Sequence, residues 1–170
     1  MGYVRRMKYL GAALIFLIPA IAAAADGPVA LGGNAGKFGD WTAAAYGTGS
    51  AKICYAFTTA QTSKPSWKSR GPVMLTVTER AGSRDEVTLS AGYTYPAKPS
   101  VTLAIGTTKV DFYTQGGTAF TTSGGETVAA FRNGASAEAV STGPHGHPVT
   151  DDFSLTGFSD AYGAIIKACQ

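Results

Sequence analysis

Short runs in which apolar and polar residues alternate, separated by glycine-rich turns, are the feature that most restricts how this chain can fold. Residues 73–79 and 86–95 form one such pair around a charged turn, and residues 101–105 and 109–114 form a second pair around Gly106. A period of two places every second side chain on the same face of a strand, and β-branched and aromatic residues favour strands. Each pair predicts a hairpin, and the whole chain predicts a mostly β fold, an immunoglobulin-like β-sandwich with a C-terminal α-helix.

Two segments have helical rather than alternating patterns. Residues 126–133 (ETVAAFRN) predict a short helix, and Gly134 is placed to cap its end. In the last segment, apolar residues recur at spacings of four, three and four, which predicts one buried stripe along a helix that Ser159 would cap. The stripe consists of Phe158, Tyr162, Ile165 and Cys169, whereas Asp160 and Lys167 are expected nearer solvent.

The N-terminus has the parts of a secretory signal peptide. Basic residues precede an apolar run at residues 9–22, and small residues follow it before Asp26. The run is shorter than the roughly 20 residues that span a bilayer, so we expect cleavage rather than anchoring. We therefore expect residues 1–25 to be a signal peptide, residues 26–37 a flexible N-terminal arm, and residues 38–170 a single β-sandwich domain.

The charge of the chain gives no support for nucleic-acid binding. The formal net charge of +3 comes from Arg5, Arg6 and Lys8, and without them the chain has 11 basic and 11 acidic residues. Electrostatic binding to nucleic acid needs a basic patch, which a near-neutral domain does not supply.

The two cysteines, Cys54 and Cys169, are expected to form a disulfide. In an oxidising compartment an even pair is more often bonded than reduced, although two buried thiols are the alternative. The closed loop would include most of the exported chain, and such a bond is worth up to about 4–5 kcal/mol.

The histidines are the candidates for chemistry. His145 and His147 could bind Zn²⁺ or Cu²⁺ with Asp151 or Asp152 as a third ligand, but a Gly-Pro turn with exposed imidazoles explains them as well. Ser141 is the serine near them in sequence, without a G-x-S-x-G elbow around it. The Gly-rich stretches lack the Lys-Ser/Thr of a phosphate loop. We therefore predict no cofactor and no catalytic residue.

Aromatic residues offer a second candidate for binding. The aromatic residues on or near predicted strands are Tyr93, Tyr95, Phe112, Tyr113 and Phe120. Most of them should lie in the core, but an exposed subset could form a binding patch. Residues 61–72 (QTSKPSWKSRGP) are polar, contain two prolines and are predicted to be a loop that carries Trp67.

Several segments resemble the invasion-associated locus B family. They are residues 150–158 (TDDFSLTGF), residues 164–169 (AIIKAC), residues 38–41 (FGDW), Cys54, and Ile105 with Gly106. The resemblance implies an exported β-sandwich protein of Gram-negative bacteria, periplasmic or associated with the outer membrane, with no established catalytic residues. Some members are linked with entry into host cells. Many members carry another Cys after the opening Trp, where this chain has three alanines, so the Cys54–Cys169 pairing rests on the cysteine count.

Together these observations predict a non-enzymatic exported envelope protein. Its role would be protein interaction with an unknown partner in the envelope or on a host surface, with at most peripheral association with the outer membrane. The alternative is a periplasmic metal-binding protein or hydrolase that uses the turn holding His145 and His147.

Overall fold

Two antiparallel sheets and two helices form the part of the protein that the structure describes. The computed structural model describes Gly2 and residues 27–170, so the predicted signal peptide, Gly2 aside, lies outside the described residues. In chain order the elements are β1 (Val29–Ala30), β2 (Lys37–Phe38), β3 (Trp41–Tyr46), β4 (Ile53–Thr59), β5 (Thr62–Lys64), β6 (Met74–Arg80), β7 (Ser83–Ser90), β8 (Val101–Ile105), β9 (Thr108–Asp111), β10 (Tyr113–Gln115), β11 (Thr118–Phe120), α1 (Gly124–Asn133), β12 (Ser136–Thr142), β13 (Pro148–Ser154) and α2 (Phe158–Ala168). A short 3₁₀ turn, Gly49–Ala51, precedes β4.

The larger sheet has eight strands and the smaller has five. The larger sheet runs β1-β3-β4-β6-β7-β11-β10, with β2 also paired to β3, and the smaller runs β5-β13-β12-β8-β9. The chain crosses between the sheets several times: β5, β8, β9, β12 and β13 lie in the smaller sheet, and the other strands lie in the larger one. The predicted hairpins are present as β6–β7 and β8–β9. The predicted mostly β fold with a C-terminal helix is therefore confirmed.

Alternating burial along the strands produces one core between the sheets. In β4 and β6 every second side chain is buried, as at Ala56, Leu75 and Val77. The smaller sheet contributes Leu103 and Phe153 to the same core. The period-two pattern thus sets which face of each strand is removed from water.

Aromatic side chains join the helices to the larger sheet. The ring centroid of Trp41 lies 4.8 Å from that of Phe158 and 6.1 Å from that of Phe131. The Trp41 indole N–H donates to the Ser154 carbonyl at 3.0 Å, so this buried polar group is satisfied.

Helix α2 buries the predicted stripe, but its start differs from the prediction. Phe158 and Ile165 are buried, Tyr162 and Cys169 are partly buried, and Lys167 is exposed. The prediction that Ser159 caps the helix is wrong, because the N-cap is Gly157, with φ +88°. A Cβ at Gly157 would collide with the Phe38 backbone, so the position needs glycine for conformation and for space.

The C-terminus of α2 is tied to the larger sheet by a disulfide and by cations. Cys54 and Cys169 are bonded, with a Cα–Cα distance of 5.9 Å. The Lys52 ammonium donates to the Ala168 carbonyl at 2.6 Å, and Arg84 donates to the Cys169 carbonyl at 3.1 Å. These donors satisfy carbonyls that a helix end leaves without intrahelical partners.

Gly134 is the C-cap of α1, as predicted, with an extended backbone at φ −93°; glycine fits there because a Cβ would lie 2.6 Å from the Ile105 side chain. Two further predictions differ from the structure in detail. The predicted loop at residues 61–72 contains strand β5, because Thr62–Lys64 pairs with β13. Paired residues begin inside the predicted arm, where Val29–Ala30 pairs with β3. Neither helix in the described part of the chain is long and apolar enough to cross a bilayer.

Candidate functional site

The segments that follow β5 and β7 meet the β12–β13 turn around a groove of about 610 Å³. This volume lies within the range of about 300–1,000 Å³ that is usual for ligand sites. We call it the Trp67 groove, and its principal lining residues are Pro65, Trp67, Tyr93, Pro144, His145 and His147. It brings together two segments that are distant in sequence, the loop with Trp67 and the turn with His145 and His147.

Two aromatic rings form the apolar surface of the Trp67 groove. The ring centroids of Trp67 and Tyr93 are 5.7 Å apart with the planes tilted by 43°. The Tyr93 hydroxyl lies 2.9 Å from Ser141 Oγ and donates to the Thr142 carbonyl at 3.2 Å. Burial raises the pKa of the Tyr93 hydroxyl, so Tyr93 is a neutral donor at neutral pH.

Arg70 supports both rings from behind. Its guanidinium carbon lies 4.9 Å from the Trp67 ring centroid and 5.3 Å from that of Tyr93, within the range of cation–π attraction. Its Nε donates to the Ala91 carbonyl at 2.9 Å. The planar, hydrogen-bonded guanidinium therefore fixes the positions of the two rings before any ligand arrives.

The charge of Arg70 is balanced by Asp151. Arg70 Nη2 and Asp151 Oδ2 are 2.7 Å apart, and the side chains are only 5% and 1% exposed. Ser63 donates to the other carboxylate oxygen at 2.6 Å. Among the described residues, Arg70 Nη1 and the buried Tyr95 hydroxyl have no hydrogen-bond partner. Burial raises the pKa of Tyr95 far above its ordinary value.

The structure does not assemble the metal site considered for the histidines. His145 and His147 line the Trp67 groove with exposed side chains. The Asp151 carboxylate is ion-paired with Arg70 and accepts a hydrogen bond from Ser63, and the Asp152 carboxylate accepts one from the Thr62 hydroxyl. Within residues 27–170 no group of three or more His, Cys, Asp or Glu side chains is arranged to hold a metal ion.

The aromatic residues singled out from the sequence divide between core and surface. Tyr95 and Phe112 are buried, as expected for core, while Tyr93 lines the Trp67 groove. Tyr113 is 58% exposed and stacks on Phe120 at 5.6 Å, on the edge of the larger sheet. The aromatic residues outside the core therefore lie in two places, Tyr93 in the Trp67 groove and Tyr113 with Phe120 at the edge of the larger sheet.

Sequence reasoning missed Arg70 and the structural role of Asp151. The two residues are 81 positions apart, and no local pattern links them. The available signal was Trp67, since a tryptophan in a polar, proline-containing loop must find a surface to pack against.

A second polar cluster lies beside the disulfide. Glu79, which pairs with Cys54 across the larger sheet, is fully buried and accepts from the Asp85 N–H at 2.9 Å. Arg84 Nε lies 2.9 Å from its other oxygen, and Tyr162 of α2 donates to Asp85 at 2.6 Å. Burial raises the pKa of the Glu79 carboxyl above its ordinary value of 4.5. This cluster connects α2 to β6 and β7 and lines no part of the Trp67 groove.

Comparisons with known proteins show the family. The crystal structure of invasion associated protein b from Bartonella henselae matches with a TM-score of 0.58 and 19% sequence identity, over 78% of this chain and 95% of that chain. At that identity the likeness shows a shared fold alone. No curated protein sequence matches the chain significantly. The family described as invasion associated locus B (IalB) protein matches residues 41–166, well over half of the sequence. This chain belongs to the invasion-associated locus B family.

Proposed function

We propose that this chain is a non-enzymatic exported envelope protein that binds a protein partner through the Trp67 groove. The observation that carries the proposal is the pair of rings, Trp67 and Tyr93, fixed from behind by the buried Arg70. Tryptophan and tyrosine are enriched among the residues that dominate binding energy at interfaces. Rings that are already in position lose little conformational entropy when a partner binds.

A binding role fits the Trp67 groove better than catalysis. Nucleophilic catalysis needs a serine or cysteine activated by an adjacent base that is itself oriented by a third group. Ser141 contacts Tyr93, and the nearby Asp151 is neutralised by Arg70. Both cysteines are bonded to each other. Ser141 and Asp151 are therefore engaged in supporting Tyr93 and Arg70, and neither cysteine is available as a thiol nucleophile.

Export is part of the proposal. It is supported by the signal-like residues 1–25, by the disulfide and by membership of a family of exported proteins. The related Bartonella structure is described as an invasion associated protein, which supports a proposed partner in the bacterial envelope or on a host-cell surface. Intact mass of the protein recovered from the periplasm or medium should begin near Asp26. A retained, uncleaved chain would contradict export.

Site-specific crosslinking in the producing cell tests the partner-binding function. A photo-crosslinking residue replaces Ser69, which is exposed and lines the Trp67 groove, or Tyr113, which is exposed on the larger sheet as the matched control. We expect a discrete protein adduct from position 69, none of the same mass from position 113, and loss of the adduct when Trp67→Ala is added. No adduct from position 69, or equal adducts from both positions, would overturn the proposal.

A further inference from the structure

We infer that the Trp67 groove takes a proline-containing peptide segment in the polyproline II conformation. The inference rests on the proposed function and names the chemistry of the partner. It depends on three properties of the groove, which are its apolar surfaces, its hydrogen-bond donors and its lack of charge.

The apolar surfaces match the shape of a polyproline II helix. Domains that bind proline-rich segments dock them in aromatic-lined grooves, where proline rings pack on flat side chains. Here the tilted faces of Trp67 and Tyr93 supply two such surfaces, and Pro65 and Pro144 line the same cavity. Polyproline II segments are already extended before they bind, so little ordering entropy opposes docking.

The donors around the Trp67 groove match the backbone of such a peptide. A polyproline II helix has no internal hydrogen bonds, and proline has no N–H, so its carbonyl oxygens remain as acceptors. The residues that line the groove carry groups that can donate: the Trp67 indole N–H, the Ser69 hydroxyl and the two imidazoles. Ser69, His145 and His147 are exposed and accessible to a bound chain.

The charge of the Trp67 groove favours a peptide over a glycan or an anionic ligand. Among the described residues that line the cavity there is no Asp, Glu, Asn, Gln, Lys or Arg. The nearby Arg70 is buried and neutralised by Asp151. Recognition of sugar hydroxyls or phosphates would call for carboxylate, amide or basic side chains at the lining. An uncharged chain that is rich in acceptors complements the groups that are present.

Nuclear magnetic resonance of the two indole N–H groups tests the inference. Trp67 lines the groove, whereas the Trp41 indole is buried and bonded to the Ser154 carbonyl, so Trp41 serves as an internal reference. Three probes are titrated into the disulfide-bonded protein: a capped oligoproline peptide, a Gly-Ser peptide of the same length, and a chito-oligosaccharide. We expect the Trp67 signal to shift saturably with oligoproline alone, while the Trp41 signal stays fixed.

Two variants define the role of the Trp67 ring. Measured by isothermal titration calorimetry, because the variant lacks the Trp67 indole signal, Trp67→Ala should weaken oligoproline binding by about thirtyfold or more, as expected for a dominant interface residue, whereas Tyr113→Ala should leave it unchanged. An unchanged Trp41 signal shows that the variant is folded. Saturable binding of the glycan or of the Gly-Ser peptide with equal affinity, or of none of the probes, would overturn the inference. If crosslinking from position 69 still captures a partner in that case, the proposed function stands and only the peptide chemistry is wrong.

Discussion

Glu79 is a buried carboxylate whose ionisation opposes folding. Its pKa is raised chiefly by burial, while the facing Arg84 and the Asp85 N–H lower it and the Asp85 carboxylate raises it. Because the folded state holds the proton more tightly than the unfolded state, the resulting stabilisation is complete below about pH 4.5 and is lost as pH rises through the folded pKa.

The substitution Glu79→Gln should therefore change the pH dependence of stability. Glutamine resembles the neutral acid and can still accept from Asp85, so the variant should match wild type near pH 4 and become relatively more stable as pH rises. Urea unfolding across pH 4–8 measures the difference. The control is Glu86→Gln, which replaces a surface carboxylate that is ion-paired with Arg80. A deficit for Glu79→Gln that is equal at every pH would contradict the argument.

Asp151 offers a second prediction at the scale of one residue. Asp151→Ala leaves the Arg70 charge buried without its partner, which should cost about 3–5 kcal/mol of unfolding free energy. The neighbouring Asp152→Ala removes only a surface hydrogen bond to Thr62 and should cost less than about 1 kcal/mol. Urea unfolding of both variants is the measurement. Similar losses would mean that the Arg70–Asp151 pair does not support the fold.

At the scale of elements, helix α2 is held by its buried stripe. Ile165 is fully buried against the larger sheet, so Ile165→Ala should cost about 2–5 kcal/mol. Lys167→Ala, on the exposed side of the same helix, should change stability by less than about 0.5 kcal/mol. Both variants are compared by urea unfolding with the disulfide intact. Equal effects would mean that α2 is not docked by this face.

Two adjacent glycines at the start of α1 give a steric test. A Cβ at Gly124 would run into the Asp85 carbonyl, whereas a Cβ at Gly125 would make an ordinary contact of 3.6 Å with the Asp85 side chain. Gly124→Ala should destabilise by about 1–3 kcal/mol because α1 must move away from β7. Gly125→Ala should be neutral or stabilise by up to about 1 kcal/mol through helix propensity. Thermal unfolding distinguishes them, and stabilisation by both would refute the tight packing of α1 on β7.

For the whole molecule, the disulfide closes a loop that contains most of the described chain. Cys54 and Cys169 are 115 positions apart, so the bond restricts the unfolded chain over most of its length. The double variant Cys54→Ala/Cys169→Ala should lose about 4–5 kcal/mol in urea unfolding. The bond is checked by mass spectrometry of the linked peptide without reductant. Two alkylatable thiols in the native exported protein would show that the bond does not form in the cell.

The sequence determined those features of the molecule that depend on neighbours along the chain. Period-two alternation predicted the β6–β7 and β8–β9 hairpins, and helical spacing predicted the buried face of α2, because each pattern is read within a few residues. With only two cysteines present, their pairing needed no geometry. The family resemblance also came from contiguous segments.

Only the tertiary structure decided the Trp67 groove. Alternation shows which side chains face inward, but not which strands become neighbours, because pairing is set by contacts between distant residues. Trp67, Tyr93 and His145 come from three separate loops, and the pairing of β5 with β13 brings the loop of Trp67 beside the turn of His145. The same pairing places Asp151 opposite Ser63 and within reach of Arg70. Because of this pairing, Asp151, which the sequence suggested as a metal ligand, is instead the buried counter-ion of Arg70 and supports the Trp67 groove.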